Sequence, residues 1–280
     1  MAATSWQPSQ RQRERERYRR SRTIRSWLIA LLATAVVGGV VVYVVGNSSG
    51  WPRTRDSFFD FRTGWHDVPD LLRALWLNVQ IMLISEVCIL VFAALIAILR
   101  TLRGPVFFPV RFLCAFYVDL FRGLPFLIVL YLVGFGIPSL RLQGGPTDPK
   151  TLAIIALVLT YTAYVAEVFR AGIQAVHPSQ AASARALGLS HAQSMRYVIF
   201  PQAVRRVLPP LLNDFISLQK DTSLASILGV IEIVLTAENF QSQDFKFVHI
   251  VMAGLVFLAL TVPLTRLTDW YARRQGWVLA

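Results

Sequence analysis

The stretch ALWLNVQIMLISEVCILVFAALIAIL, residues 74–99, carries a single charged side chain, Glu86, among mostly apolar residues. A helix needs about 20 predominantly apolar residues to cross the roughly 30 Å hydrocarbon core of a bilayer, so this stretch is long enough to span it. Further apolar stretches lack Asp, Glu, Lys and Arg altogether: 26–52, 123–140, 151–166 and 247–265. We therefore predict an all-α, polytopic membrane protein.

The composition and the placement of charge agree with this class. The chain is 55% hydrophobic and 16% charged, whereas soluble domains are about 25% charged. The net charge is +12, and eight arginines lie in RQRERERYRRSRTIR, residues 11–25. An excess of Lys and Arg marks the cytoplasmic side of membrane spans, so we predict a cytoplasmic N-terminus. The arginines lack the interleaved aromatic residues that single-stranded nucleic acid requires, so we expect no nucleic-acid partner.

Successive helices must cross the membrane in alternating directions, starting from this cytoplasmic N-terminus. This predicts six spans in the cell (plasma or inner) membrane, with both termini cytoplasmic. The first apolar stretch exceeds the 7–15 residues of a signal-peptide core, so we predict that it is retained. The predicted helices are 27–46, 74–99, 106–137 (interrupted at Gly123 and Pro125), 151–169, 206–236 and 247–268. Between Glu167 and Asp214 the chain has five arginines and no acidic residue, which indicates a cytoplasmic loop, about 171–204.

The sequence lacks the residue patterns of catalysis, metal binding and nucleotide binding. Its histidines are scattered, at His66, His177, His191 and His249, and form no metal-binding motif. Cys88 and Cys114 lie in apolar segments and are interpreted as small buried hydrophobic residues. No phosphate-binding loop or nucleophile elbow is present. We therefore expect no metal and no directly bound cofactor, and any uphill transport must draw on an ion gradient or a separate ATPase.

The loop segment SQAASARALGLSHAQ, residues 179–193, predicts a short helix followed by a second one. Four residues share one side of the first helix: Ala181, Ala184, Leu187 and Gly188. Small residues on that side permit close docking against a groove in another protein. Gly188 is predicted to end the helix, Ser190 to cap the next one, and Pro201 to redirect the chain. The alternative is an amphipathic connector lying on the membrane.

The predicted fifth span contains the polar sequence NDFISLQKDTSL, residues 213–224. Two adjacent stripes follow from helical spacing, Asn213, Ser217 and Lys220 in one, and Asp214, Ser217 and Asp221 in the other. A charge at mid-bilayer costs about 2.5–3.5 kcal/mol, so these residues are predicted to line a translocation path. The alternative is an internal Lys220–Asp221 ion pair that fixes helix packing.

Other polar residues in or near the predicted spans are further candidates for the path. Thr222 and Ser223 can bond the backbone if the helix bends locally. Glu86, Arg122 and Glu167 are charged, and serve either as substrate contacts or as structural partners. Together these residues supply side chains of both charges, and both hydrogen-bond donors and acceptors, within or near the predicted spans.

Several motifs resemble those of one transporter family. The segment EVFRAGIQAVHPSQAASARALGLSHAQSMRYVIFPQAVRRVLPPLLNDFISLQKDTSL is similar to the cytoplasmic-loop signature of ABC importer permeases of the polar amino acid (glutamate/glutamine/histidine/arginine-type) uptake subfamily. FRGLP, KDTSL and PLTRLTDWYARR resemble further motifs of that subfamily. The resemblance covers roughly 70–274. It implies a five-helix type I permease core (70–270), an additional helix (27–46), a basic tail (1–26) and a C-terminal tail (271–280).

The resemblance also implies a role and partners. The chain would be a transporter subunit rather than an enzyme. It would pair with a second permease (the same or homologous), two ABC ATPase subunits that use ATP and Mg, and an extracytoplasmic amino-acid-binding protein. The loop would insert a coupling helix into the ATPase. The residues implied in this contact are Ser179, Gln180, Ala181, Ala182, Ser183, Ala184, Ala186, Leu187 and Gly188.

The chain departs from the family pattern at three places. Ala182-Ser183-Ala184 replaces Glu-Ala-Ala, Ser179 replaces Gly, and Leu124 replaces the Thr of F-R-G-T-P. Without the acidic residue we assign docking to shape rather than to an ion pair. Two other function classes remain at this point. A self-sufficient secondary transporter predicts internal repeats, and a membrane-embedded enzyme predicts a catalytic cluster; the sequence shows neither.

Overall fold

The computed structural model describes residues 10–102 and 104–274 and divides the chain into two compact units, Met1–Phe59 and Asp60–Ala280. The described residues form helices without strands. Residues 1–9 of the predicted basic tail, Arg103 and residues 275–280 of the predicted C-terminal tail lie outside the described residues.

The first unit consists of a long helix and a short one, α1 (Gln10–Gly46) and α2 (Trp51–Phe58). The predicted helix began at residue 27, but α1 begins at Gln10 because Arg, Glu and Gln in the basic stretch are good helix formers. The part of α1 suited to a membrane span is Arg22–Gly46. Its large apolar side chains, such as Leu32 and Val42, are exposed, as expected of a helix in lipid.

The second unit is a helical bundle. Its helices are α3 (Phe61–Trp65), α4 (Val68–Thr101), α5 (Phe108–Gly123), α6 (Phe126–Tyr131), α7 (Ile137–Ser139), α8 (Pro149–Gln174), α9 (Pro178–Ala186), α10 (His191–Ser194), α11 (Phe200–Asp221), α12 (Ile233–Asp244) and α13 (Val248–Arg274). The buried core lies where α4, α6 and α8 meet, around Ile89, Leu130 and Leu157. A second apolar cluster joins α4 to α12 and α13.

Within the described residues, four helices are long and apolar enough to cross a membrane, and the number rises to six if each of two bent pairs is one span. The first pair, Pro105–Gly123 and Phe126–Ser139, is bent by 106°. The break lies at the predicted interruption, because Pro125 lacks the N–H that would continue the helix. The predicted apolar stretches therefore account for the candidate spans.

The predicted continuous helix 206–236 is wrong. α11 ends at Asp221, a 3₁₀ segment Thr222–Leu228 follows, and α12 begins at Ile233, so that this second pair is bent by 49°. Hydroxyl groups in the 3₁₀ segment bond carbonyls three residues back and compete with the helical pattern. Gly229 then adopts a φ of +86°, which favours glycine.

Candidate functional site

The segment 171–204 contains a short helix, α9, whose ends are set by local hydrogen bonds. At its start, the backbone N–H of Ser179 donates to Nδ1 of His177 (3.2 Å). At its end, Gly188 has a φ of +81°, and the N–H of Leu189 donates to the carbonyl of Ala184 (3.1 Å). This pattern is a Schellman motif. It confirms that Gly188 ends the helix.

The helical run that follows begins at a reciprocal cap. Ser190 Oγ accepts from the N–H of Gln193 (3.2 Å), and Gln193 Oε1 accepts from the N–H of Ser190 (2.9 Å). This capping box confirms the predicted role of Ser190. The run continues through a π turn, Met195–Ile199, into α11. The prediction that Pro201 redirects the chain is wrong, because the widened π turn and the first turn of α11 accommodate a residue without an N–H.

The side of α9 that was predicted to dock against another protein is partly buried and partly exposed. Ala184 is 2% exposed and packs towards the chain's own helices, whereas Leu187 is 82% exposed. The prediction that Ala184 lies on a docking surface is therefore wrong, because the side chain is already covered within this chain. The predicted loop residues that are exposed are Ser179, Gln180, Ala182, Ser183, Ala186, Leu187 and Gly188, and Ala181 is half-buried.

Two hydrogen bonds tie α9 and the end of α8 to the base of α11. Gln202 Nε2 donates to Gln180 Oε1 (3.3 Å). Arg206 Nη1 donates to the carbonyl of Ala175. Both α9 and the end of α8 are therefore bonded directly to the first turns of α11.

A cluster of ionic side chains lies at the end of α8 that leads into α9. The carboxylate of Glu167 accepts from Arg100 Nη1 (3.1 Å) and from Arg170 Nε (2.8 Å), and Arg122 Nη1 lies 3.9 Å from Glu167 Oε1. Both Arg122 and Glu167 thus have charged partners within the chain. Among the two roles left open for them, the geometry favours a structural one.

The second polar stripe of α11, formed by Asp214, Ser217 and Asp221, faces α4 and α8. Tyr161 Oη donates to Asp221 Oδ2 (2.8 Å). Asp214 lies close enough to Glu86 of α4 for their carboxylates to interact electrostatically, and Asp214 Oδ2 is buried without a hydrogen-bond partner among the described residues. Glu86, Asp214 and Asp221 thus give this side of α11 an acidic character. Ser217 lies between them and is partly buried.

The first polar stripe of α11, which contains Asn213 and Lys220, faces α13 instead. Lys220 is exposed and lines a shallow cavity together with Ser223 and Phe257. Asn213 is also exposed and lines a second cavity near Thr265. The alternative of an internal Lys220–Asp221 ion pair is not the arrangement in the described residues, since Asp221 bonds Tyr161.

The hydroxyl groups at the end of α11 bond the backbone as predicted. Thr222 Oγ1 donates to the carbonyl of Gln219 (2.7 Å), and Ser223 Oγ donates to the carbonyl of Lys220 (2.7 Å). These bonds accompany the change from α-helix to 3₁₀ helix after Asp221, and the 49° bend lies further along, between Leu228 and Ile233. They also place Thr222 inside the bundle, where it is fully buried.

Sequence reasoning missed a buried polar network at this bend. Asn78 Nδ2 donates to Thr222 Oγ1 (3.2 Å) and to Glu232 Oε2 (2.9 Å), and Asn78 Oδ1 accepts from the N–H of Ile233 (3.3 Å). Glu232 Oε1 caps α12 by accepting from two backbone N–H groups. Asn78 is 1% exposed and Glu232 is 0% exposed. The available signal was a carboxylate inside a predicted span, at position 232.

The network extends to α13 through Gln219, which was also missed. Thr261 Oγ1 donates to Gln219 Oε1 (2.9 Å), and Gln219 is 1% exposed. The bend between α11 and α12 is therefore held by polar side chains from α4 and α13.

The end of the bundle opposite α9 carries its own polar cluster. Lys246 Nζ donates to Asp60 Oδ2 (2.6 Å). This bond, with bonds from Thr63, lowers the pKa of Asp60 to about 2. His249 bonds both Asp67 and Asp244. These contacts join α3 to the turn between α12 and α13.

A family model described as "Binding-protein-dependent transport system inner membrane component" matches residues 89–277. The chain belongs to this family. It is therefore a multi-pass membrane protein of the permease type, and the inner membrane is its implied location.

Curated relatives of this inner membrane component are named as permeases. The probable amino-acid ABC transporter permease protein PatM of Vibrio harveyi is 35% identical over 213 residues, covering 76% of this chain and 94% of the relative. The glutamate/aspartate import permease protein GltK of Escherichia coli O157:H7 is 32% identical over 224 residues, covering 78% and 99%. Since the relatives are permease subunits, ATP hydrolysis belongs to separate subunits, as predicted.

Solved structures agree with the fold. The chain resembles "Crystal structure of an amino acid ABC transporter with histidines" at 29% identity and a TM-score of 0.71, covering 77% of this chain and 98% of that one. A structure of the MetNI methionine ABC transporter in inward-facing conformations is 16% identical with a TM-score of 0.60, covering 73% and 95%. The second likeness concerns the fold alone. The predicted all-α permease fold is confirmed.

Proposed function

We propose that this chain forms the path by which a polar amino acid is imported, and that α9 couples this path to an ATPase. The proposal rests on the connection between the exposed face of α9 and α11. Gln180 and Arg206 provide the bonds that join the loop region to the base of α11, and the other end of α11 carries the polar residues. The amino-acid permeases among the relatives support the substrate class.

The family description and the exposed face of α9 support the following partners. The chain would assemble with a second permease, identical or homologous, and with two ATPase subunits that hydrolyse ATP with Mg. An extracytoplasmic amino-acid-binding protein would deliver substrate at the end of the bundle opposite α9. The coupling loop would be 171–204, with both chain termini in the cytoplasm. The basic stretch 11–25, which forms the first part of α1, supports this orientation.

The path would run along α11. Its candidate residues are Asn213, Asp214, Ser217, Lys220, Asp221, Thr222, Ser223 and Glu86, while Arg122 and Glu167 would support the structure near the loop. Asp214 and Asp221 face α4 and α8, and Lys220 is exposed on another side. Acidic and basic groups on neighbouring sides of one helix can meet the amino and carboxylate groups of a zwitterion at successive points.

The decisive contact is the exposed Leu187 at the end of α9. A charged group there would be desolvated against an apolar groove, at a cost of several kcal/mol. We expect Leu187→Glu to abolish co-purification of the ATPase and uptake, while membrane insertion is unchanged. The matched control for ATPase binding is Leu142→Glu, another exposed leucine (60%), in the loop before α8 at the other end of that helix; it should retain the ATPase. Retention of the ATPase by Leu187→Glu would reject α9 as the coupling element.

A further inference from the structure

An apolar groove adjoins the ionic cluster at the end of the bundle that carries α9. Its volume is about 400 Å³, and its walls come from α4, α8 and α11, represented by Ala97, Ile98, Phe169, Ile173, Val204 and Leu211. Thr101 is the one polar residue on these walls in the described part of the chain, and its hydroxyl donates to the carbonyl of Ile98 (2.7 Å). The groove thus offers a surface suited to hydrocarbon.

The position and length of the groove match one half of a bilayer. Arg170 lies 20 residues, or about 30 Å, along α8 from Lys150, which is the thickness of the hydrocarbon core. With Lys150 placed at the opposite membrane surface, Arg170 lies at headgroup depth. Along α11 the groove runs from Phe200 to Leu211, about 16 Å, which is close to the half-thickness of about 15 Å.

The mouth of the groove carries an excess of positive charge. A second cavity shares Ala97, Ile173 and Met195 with the groove and is also lined by Arg100 and Arg170. Both of these arginines pair with the carboxylate of Glu167, so two positive charges and one negative charge leave one positive charge at the mouth. Basic pockets between transmembrane helices are suited to anionic lipid headgroups.

We propose that this groove binds one anionic phospholipid, with an acyl chain along α11 and the phosphate against Arg100 and Arg170. The proposal goes beyond the transport function and does not depend on it. The lipid would hold α4 and α11 at a fixed separation beside the coupling loop. A second copy of the chain could also cover the groove, and the experiment separates that occupant from a lipid.

The test uses the complete importer, purified with its ATPase subunits and stripped of lipid in detergent. Binding of dioleoyl phosphatidylglycerol and dioleoyl phosphatidylcholine is measured by native mass spectrometry. We expect one phosphatidylglycerol per permease chain, bound at least tenfold more tightly than phosphatidylcholine. Soluble glycerophosphoglycerol, which is the same headgroup without acyl chains, should compete at least a hundredfold more weakly.

Three variants locate the site. Val204→Trp fills the groove and should abolish the preference for phosphatidylglycerol. Arg100→Gln removes one charge and should weaken binding about fivefold, which corresponds to about 1 kcal/mol per basic residue. The control is Leu267→Trp on α13, at a side chain that is 59% exposed. This variant should bind phosphatidylglycerol as wild type does.

Specific outcomes would overturn the proposal. Equal binding of the two lipids rejects the anionic headgroup, and full competition by glycerophosphoglycerol rejects the acyl-chain groove. Phosphatidylglycerol binding that survives Val204→Trp places the lipid elsewhere. Binding to the isolated chain but not to the assembled importer shows that another subunit covers the groove. Since lipid binding is read without transport, failure here leaves the proposed import function intact.

Discussion

Replacing Asn78 with leucine tests the buried network at the bend between α11 and α12. The substitution keeps a similar volume but removes the amide that donates to Glu232 and Thr222 and accepts from the N–H of Ile233. The carboxylate of Glu232 then keeps only its backbone donors in a fully buried position. We expect a large loss of stability from this single change.

The magnitude follows from the bonds that are lost. A hydrogen bond to a charged group contributes about 1.5–3 kcal/mol, and a buried N–H left without an acceptor costs about 1–3 kcal/mol. Because these terms are not independent, we expect a total loss of about 3–5 kcal/mol. At about 2–4 °C per kcal/mol, the melting temperature should fall by about 6–20 °C.

Thermal unfolding in detergent can be followed with a thiol-reactive dye, since Cys88 and Cys114 are half-buried. The matched control, Asn239→Leu at an exposed position of α12, should melt within about 2 °C of wild type, because surface changes are usually within ±0.5 kcal/mol. Adding Glu232→Gln to Asn78→Leu removes the buried charge and should recover part of the loss. A wild-type melting temperature for Asn78→Leu would refute the network.

Three further predictions follow from the contacts of other residues. Gly172→Ala places a Cβ 2.1 Å from Val207 Cγ2, so the stability measured by melting should fall by about 1–3 kcal/mol. Adding Val207→Ala should restore part of the lost stability. A Gly172→Ala variant as stable as wild type would contradict this packing. Lys220→Leu should abolish uptake of labelled amino acid without preventing assembly with the ATPase, whereas normal uptake would remove it from the path. Asp60→Asn should lower the melting temperature at pH 6. This difference from wild type should shrink as the pH falls from about 4 towards 2, because Lys246 holds the pKa of Asp60 near 2 only in the folded protein. A difference in melting temperature that is constant with pH would argue against this ion pair.

The apolar stretches predicted the membrane fold because the length of a hydrophobic run reflects bilayer thickness directly. The caps at Gly188 and Ser190 were also predictable, since both depend on neighbouring residues only. The 3₁₀ segment after Asp221 and the bend that follows it were harder to predict from the sequence. The hydroxyl groups of the 3₁₀ segment act locally, but the network that holds the bend joins Asn78 to Glu232, which are 154 residues apart in the sequence.

The direction in which α9 faces could not be read from its own pattern. Small residues such as Ala184 fit both an interface with another protein and a close contact within the chain, and the structure shows the second for Ala184. For the same reason, the sequence could not predict that the two polar stripes of α11 face different neighbouring helices. Helical spacing placed Lys220 and Asp221 on adjacent stripes, but the neighbouring helix of each stripe depends on the tertiary packing.

Uptake into proteoliposomes that contain the permease and its ATPase subunits measures the central claim most directly. With the binding protein and labelled amino acid outside and ATP enclosed, we predict accumulation that stops when ATP is replaced by a non-hydrolysable analogue. Vesicles that contain the permease without ATPase should accumulate nothing. Accumulation at the full rate in those vesicles would contradict the proposal that α9 transmits the energy of ATP hydrolysis to α11.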